Sequence, residues 1–359
     1  MSRRLLETAI AGRELTAAQA EELMEELLAG RVDTPVMVEL LLTLNARPYR
    51  SEELAGYARA MRRHAAVVFP AGEILPERMV DTCGTGGDDS GTFNISTAAA
   101  MVAAAAGARV AKHGNRAASS KCGSADVLEA LGVPIDLPFL QIGRGIREIG
   151  IGFLFAQAAH AATRHAAPAR RQIGVRTVFN LLGPLTNPAQ AQAQVLGVFS
   201  ADVVDVVAGA LAKLGTEHAL VVHGAGKLDE VSLSGPSLVV EVRAGELRKF
   251  RVTPEDFGKK PQRSEALRGG GVAENAALMR TLLEGAAESA EEKARRDIVV
   301  INAPRPWWLP VLPVRSAKAR RWPRRPLPGE RRPISSKRFA ATEQSSGARG
   351  VYDSASPGG

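Results

Sequence analysis

Asp81-Thr-Cys-Gly-Thr-Gly-Gly-Asp-Asp-Ser-Gly-Thr-Phe-Asn-Ile-Ser-Thr97 runs straight into an alanine-rich stretch at residues 98–106, and its reading decides the fold of this 359-residue chain. It has the make-up of an anion-binding loop. Gly84, Gly86, Gly87 and Gly91 permit φ > 0 and close approach of backbone to a ligand, while Thr85, Ser90, Thr92, Asn94, Ser96 and Thr97 supply short donors. Ile95 and the alanines then start a helix whose N-terminus carries free N–H groups and partial positive charge. A solvated turn has no need of so many donors ahead of a helix.

Neither common phosphate fingerprint fits. A Walker A loop requires Gly-x-x-x-x-Gly-Lys-Ser/Thr, and here Thr92 follows Gly91 where Lys should stand. A Rossmann turn requires Gly-x-Gly-x-x-Gly, and after Gly84 and Gly86 the third place holds Asp89. The loop must hold its anion in another way.

Two further motifs point in the same direction. Lys112-His-Gly-Asn-Arg-Ala-Ala-Ser-Ser-Lys-Cys-Gly-Ser-Ala-Asp126 follows the short apolar stretch 108–111 and gathers three cations and several hydroxyls. It is expected to be a second anion-binding loop. His223-Gly-Ala-Gly-Lys-Leu-Asp-Glu230 follows the apolar residues 219–222, which places Asp229 and Glu230 in a loop beyond a strand. Adjacent carboxylates with Ser232 and Ser234 nearby suit Mg²⁺, an oxygen-seeking ion that usually bridges to substrate phosphates.

The chain is long enough for two domains. Residues 16–29 mix apolar and acidic residues at helical spacing, with Thr16 and Gln19 placed as a capping box; residues 36–44 and 52–64 also read as helices. Beyond them, apolar segments at 195–199 and 219–222 alternate with a helical one at 203–214, the pattern of an α/β domain. No run reaches the length of a membrane span and no signal-peptide core is present, which points to the cytosol. Cys83 and Cys122, the only cysteines, allow no disulfide framework and read as buried thiols. The net charge of +8 hints at nucleic acid, but residues 303–359 hold twelve Lys or Arg against three acids. That segment carries +9, so the rest of the chain is close to neutral and a nucleic-acid partner is not expected.

Taken together, the residues 81–97, Lys112 to Asp126, Arg176-Thr-Val-Phe-Asn-Leu-Leu-Gly-Pro-Leu-Thr-Asn-Pro188 and Leu228-Asp-Glu230 resemble the corresponding motifs of the anthranilate phosphoribosyltransferases, over roughly residues 5–303. The resemblance implies a small N-terminal helical domain (1–70, completed by helices from about 165–190) beside a larger α/β domain (71–303) with a mixed central sheet flanked by helices. It implies a homodimer, with substrates meeting between the domains. Phosphoribosyl pyrophosphate would touch Gly84, Gly87, Asp88, Thr92, Asn94, Ile95, Ser96 and Thr97, then Lys112, His113, Gly114, Asn115, Arg116, Ala117, Ala118, Ser119, Ser120 and Ser124. Mg²⁺, two ions per subunit, would use Ser96, Asp229 and Glu230. Anthranilate would lie near Gly84, Asn115 and Arg170, whose guanidinium fork suits a carboxylate; His113 and Pro184 would wall the same channel. No residue is assigned as a general base. A pyrimidine nucleoside phosphorylase and a nucleic-acid-binding relative of the same fold are the alternative functions.

The resemblance stops near Ala303. Pro304-Arg-Pro-Trp-Trp-Leu-Pro-Val-Leu-Pro313 cannot form the alanine-rich helix that the family places there, and all three tryptophans and nine of the twenty-one prolines lie beyond Ala303. Joining the last base of each codon to the first two of the next turns Trp307-Trp308 into Val, and residues 304–310 can then read Ala-Ala-Leu-Val-Ala-Ala. A shifted reading frame near codon 303 is therefore expected, with residues 304–359 a basic, disordered tail.

Overall fold

A computed structural model describes residues 3–117, 120–285 and 289–304. Ala118, Ser119 and the tail from Arg305 onward, on which several of the expectations above fall, lie outside the described residues. Four helices come first: Arg3–Ile10, Ala17–Leu28, Thr34–Asn45 and Ser51–Arg63. Thr16 caps the second as its spacing predicts. Its Oγ1 accepts from the Gln19 N–H at 3.3 Å and the Gln19 Oε1 accepts from the Thr16 N–H at 2.9 Å. The helices are held by an aliphatic core in which Leu23, Met24, Met37, Leu40, Leu41 and Leu54 are fully buried. Ala169 of the helix Ala167–Ile173 and Val178 and Leu181 of the helix Val178–Leu182 enter the same core, so late chain packs against early chain.

The remainder is built on one sheet of seven strands: β1 (Met79–Gly84), β2 (Arg109–Gly114), β3 (Ile151–Phe155), β4 (Ala193–Gly197), β5 (His218–His223), β6 (Ser237–Arg243) and β7 (Glu246–Val252). Their order is β3-β2-β1-β4-β5-β6-β7. The first five neighbours run parallel, while β6 and β7 are antiparallel, so the sheet is mixed. The helix Val204–Lys213 and the helical bundle cover one face through Leu196, Val198, Val221 and Val240. The helices Ile95–Ala105, Val272–Glu284 and Ala290–Asn302 cover the other through Val222, Val239, Met279 and Ile298.

This order has one consequence for function. Chain leaving β1 turns to β2 and β3 on one side, whereas β4 and β5 lie on the other. A crevice therefore opens at the carboxyl ends of β1 and β4, where ligands bind in open α/β sheets.

Three expectations are corrected. Asp81 to Gly84 belong to β1 and Lys112 to Gly114 to β2, so each anion-binding loop begins later than its motif, because both motifs open on residues buried inside the sheet. Asp126 lies in the helix Ser124–Ala130, not in the loop. Gly84 is strand, not turn, and its lack of a side chain serves a different purpose.

Candidate active site

The last residues of β1 and β4, Gly84 and Gly197, are cross-strand partners, and the loop bearing Asp229 lies across both. A Cβ at Gly84 would collide with the Asp229 carboxylate, and one at Gly197 with the Asp229 backbone carbonyl. Only glycines let this acidic loop settle on the switch point. Gly86 and Gly87 then turn the chain at φ 66° and 70°, conformations that suit glycine. The Gly86 N–H donates to Asp229 Oδ2 at 2.9 Å, and the Asp229 N–H faces Asp88 Oδ2 at 3.3 Å. The glycine loop and the acidic loop are thus clasped together.

The acidic loop carries unbalanced charge. Burial, then the neighbouring Asp88, pushes the Asp229 carboxyl up to about 7. Burial and Asp229 raise that of Glu230, against the opposing pull of Lys112 and the Ser96 backbone N–H. Lys112, only 3% exposed, does not face the crevice as a free cation. Its Nζ donates to Thr82 O at 2.5 Å, His113 O at 3.3 Å and Ser96 Oγ at 3.5 Å, which occupies all three of its donors. Its charge acts from behind the Ser96 turn. Beneath it Asp81, wholly buried, accepts from the His113 N–H at 3.1 Å and Asn187 Nδ2 at 2.8 Å.

The helix Ile95–Ala105 begins beside Glu230, whose carboxylate meets the Ser96 N–H, and the N-cap residue Asn94 makes no side-chain cap of its own. Asn94 Nδ2 donates to Cys122 O at 3.1 Å and its Oδ1 accepts from Asn275 Nδ2 at 3.0 Å; Thr97 Oγ1 donates to Ser124 Oγ at 3.1 Å. The expected residues Thr92, Asn94, Ile95, Ser96, Thr97 and Ser124 therefore surround one helix start, and Gly91, Thr92 and Phe93 are pinned to residues 267–269 by backbone pairing.

After β2, Asn115 accepts at Oδ1 from the Arg116 N–H at 2.8 Å and Gln157 Nε2 at 3.2 Å. Arg116 turns outward to Asp126 and Glu129, each at 2.9 Å, so its charge is already matched. Asp126 also accepts from the N–H groups of Ala117 and Gly123, both at 2.9 Å, which sets the shape of this loop. Ser120 Oγ donates weakly to Cys122 O at 3.4 Å. Both cysteines are free and buried, as the sequence suggests.

Arg170 lies half-buried over the Phe179 ring, 5.4 Å from its centroid, with burial lowering its pKa. No carboxylate among the described residues pairs with it. His113 and His160 meet edge to face at 5.3 Å, and burial drives both pKa values down, His160 to about 4. Both rings are neutral near pH 7. The Pro184 carbonyl is held by Gln194 Nε2 at 2.6 Å.

The structure adds three residues that local patterns could not reveal. Gly197 is visible in the sequence only as a glycine ending a strand. Arg176 stacks on Phe199 at 4.7 Å, pairs with Asp89 at 3.4 Å, and its Nε would come within 2.8 Å of a Cβ at Gly87. Asn302 Oδ1 accepts from the Val231 N–H at 2.8 Å, while its Nδ2 donates to Val231 O and Ile298 O at 2.9 Å. It ties the acidic loop to the last described helix.

Among the described residues no three His, Cys, Asp or Glu side chains converge to enclose a metal. Two buried, partly neutralised carboxylates beside a hydroxyl nonetheless fit an ion that completes its shell with water and phosphate oxygens.

Two family models match the chain: the glycosyl transferase family helical bundle domain over residues 3–65 and the glycosyl transferase family a/b domain over residues 76–311. Anthranilate phosphoribosyltransferase of Roseiflexus castenholzii is 53% identical over 296 residues, covering 82% of this chain and 84% of that protein. The crystal structure of anthranilate phosphoribosyltransferase from Thermus thermophilus is 48% identical, with a TM-score of 0.77 over 83% of this chain and 87% of that one. The Saccharomyces cerevisiae enzyme in complex with phosphoribosyl pyrophosphate and Mg is 26% identical, with a TM-score of 0.74 over 84% and 87%.

Proposed function

The chain belongs to the anthranilate phosphoribosyltransferase family, and from that premise we propose that its crevice transfers the phosphoribosyl group of phosphoribosyl pyrophosphate to the amine of anthranilate, in tryptophan biosynthesis. The observation that carries this reading is the clasp of the glycine loop onto Asp229 at the β1/β4 switch point, beside the N-terminus of the helix Ile95–Ala105. It offers backbone N–H groups to a diphosphate and carboxylates to the cation that accompanies it.

Ser96, Asp229 and Glu230 are the proposed ligands of Mg²⁺, two ions per subunit, with Asp88 close enough to Asp229 to share the charge. Bound Mg²⁺ supplies neutralisation of the departing pyrophosphate. The glycine loop between Gly84 and Thr97 positions the diphosphate, and Lys112 adds positive potential through Ser96. The loop Asn115 to Ser120, with Ser124, is assigned to the ribose phosphate end through its backbone. Arg116 holds that loop through Asp126.

Arg170, lacking an acidic partner among the described residues, is assigned to the anthranilate carboxylate, with Asn115, Gly84, His113 and Pro184 around the ring. The amine nitrogen attacks C1 as the C1–O bond breaks; the electron pair leaves on pyrophosphate, and the amine proton follows into solvent. Catalysis consists of positioning and charge stabilisation, and the neutral His113 and His160 serve as wall.

We also read the enzyme as a cytosolic homodimer. No helix among the described residues is long and apolar enough to cross a membrane. Leu42 and Val175 stand exposed to either side of the hydrogen bond from Asn45 Nδ2 to Arg176 O, an apolar patch that a second subunit would cover. Sedimentation at micromolar concentration tests this: a single monomeric species would contradict it. For the chemistry, appearance of the fluorescent product from anthranilate and phosphoribosyl pyrophosphate supports the assignment. Phosphorolysis of a pyrimidine nucleoside in its place would overturn it.

A further inference from the structure

One guanidinium grips the glycine loop from outside the crevice. Arg176 follows the helix Ala167–Ile173, and its carbonyl accepts from Asn45 Nδ2 at 2.6 Å, which ties its backbone to the helical bundle. Its side chain reaches the glycine loop of the other domain. There the guanidinium lies over the Phe199 ring, 4.7 Å from the centroid, and pairs with Asp89 at 3.4 Å. A Cβ at Gly87 would come within 2.8 Å of its Nε, so the same side chain packs on the Gly87 backbone. Phe199 is itself fastened to the loop, because its N–H donates to Thr85 Oγ1 at 3.0 Å.

Arg176 thus touches the residue on each side of Asp88. Both of those residues hold left-handed backbone, Gly87 at φ 70° and Asp89 at φ 56°, a conformation uncommon for a residue with a side chain. Asp88 between them faces the acidic loop: its Oδ2 accepts from the Asp229 N–H at 3.3 Å and its Oδ1 from the Ser90 N–H at 3.2 Å. The Arg176–Asp89 pair is exposed on both sides, and such pairs add little stability, so what the contact contributes is position. We infer that Arg176 is a positioning residue that, by holding Gly87 and Asp89, fixes Asp88 against Asp229 and so sets the shape of the magnesium diphosphate site. The inference rests on the function proposed above. Arginine suits the task and lysine does not, since a planar guanidinium stacks on a ring while its N–H groups meet a carboxylate.

Binding of pyrophosphate in the presence of Mg²⁺, followed by calorimetry on the full chain, tests this without anthranilate as acceptor. Arg176→Ala is expected to weaken binding about ten- to a hundredfold, as loss of a partner behind a metal site does. Arg176→Lys, which keeps the charge and loses the plane, should not restore it. Added to Asp88→Asn, Arg176→Ala should cost little beyond Asp88→Asn alone, because both substitutions act through one carboxylate. Unchanged pyrophosphate affinity in Arg176→Ala overturns the inference, as do full restoration by Arg176→Lys and losses that simply add to those of Asp88→Asn. Should Arg176→Ala fail to fold, Phe199→Leu removes the ring beneath the guanidinium; it is expected to weaken binding in the same way, and unchanged affinity there overturns the inference equally. An unaltered chain that binds pyrophosphate without turning over anthranilate contradicts the proposed function alone, whereas one that binds no pyrophosphate overturns both.

Discussion

At single residues, both side chains and their absence shape the site. Gly84 and Gly197 leave no room for a Cβ beneath Asp229. Gly197→Ala should displace the acidic loop and lower kcat/KM about 10²-fold, since shifts of that size at a reacting site are amplified; steady-state kinetics on the folded variant checks it. Arg170→Ala should raise KM for anthranilate roughly ten- to hundredfold, the value of a charge-assisted hydrogen bond, with KM for phosphoribosyl pyrophosphate little changed. Equal loss for both substrates would remove Arg170 from its assigned place. His160 gives a stability prediction whose sign follows from burial. Its folded pKa, about 4, lies below the ordinary 6.5, so the neutral ring stabilises the fold fully above about pH 6.5 and that contribution is lost as pH falls toward 4. The difference amounts to roughly 3 kcal/mol. The melting temperature should therefore drop between pH 6.5 and 4, and drop less in His160→Gln.

Individual residues were legible in the sequence to unequal degrees. The Thr16–Gln19 capping box and the helix at Ile95 follow from neighbours a few positions apart, and both form. The sequence suggests Lys112 and Arg116 as charges for phosphate but does not show the partners the fold gives them: Thr82 O, thirty residues away, for Lys112, and Asp126 and Glu129 of the following helix for Arg116. Charge matching of that kind is set by tertiary packing, which spacing along the chain does not reveal.

At the scale of elements, the crevice depends on how the acidic loop is tethered. Asn302, the last residue of the helix Ala290–Asn302, makes two buried hydrogen bonds that fix Val231 just after Glu230 and a third to Ile298 O of its own helix. Asn302→Ala strands the Val231 groups and should cost roughly 1–3 kcal/mol. It should also raise the Mg²⁺ concentration needed for half-maximal turnover; a variant that is less stable but has an unchanged Mg²⁺ requirement would make the tether structural only. The β6–β7 hairpin is not evident from periodicity, because residues 238–242 do not alternate; only the two-residue turn at Ala244-Gly245, both at positive φ, carries its signature. β3 escaped as well, being a short apolar run with no alternation.

At the scale of the whole molecule, the proposed site loops all precede residue 303, near which the motif resemblance is expected to end. The shifted-frame origin of residues 304–359 remains a proposal with a direct physical consequence. A chain carrying the restored frame should place helical, alanine-rich sequence after Ala303, and should melt several degrees higher, as a gain of about 1–2 kcal/mol implies for a protein of this size. Identical melting of the two chains would contradict that consequence.

The central claim is that the Asp229–Glu230 loop, clasped by the glycine loop, forms a magnesium diphosphate site for phosphoribosyl transfer. Turnover of anthranilate with phosphoribosyl pyrophosphate, followed by product fluorescence while Mg²⁺ is titrated, tests it most directly when the full chain and Asp229→Asn are run side by side. Chelation should abolish product, Mg²⁺ should activate the full chain saturably, and Asp229→Asn should respond much more weakly. Product formed at the same rate with and without Mg²⁺, or an unaltered Mg²⁺ dependence in Asp229→Asn, would contradict it.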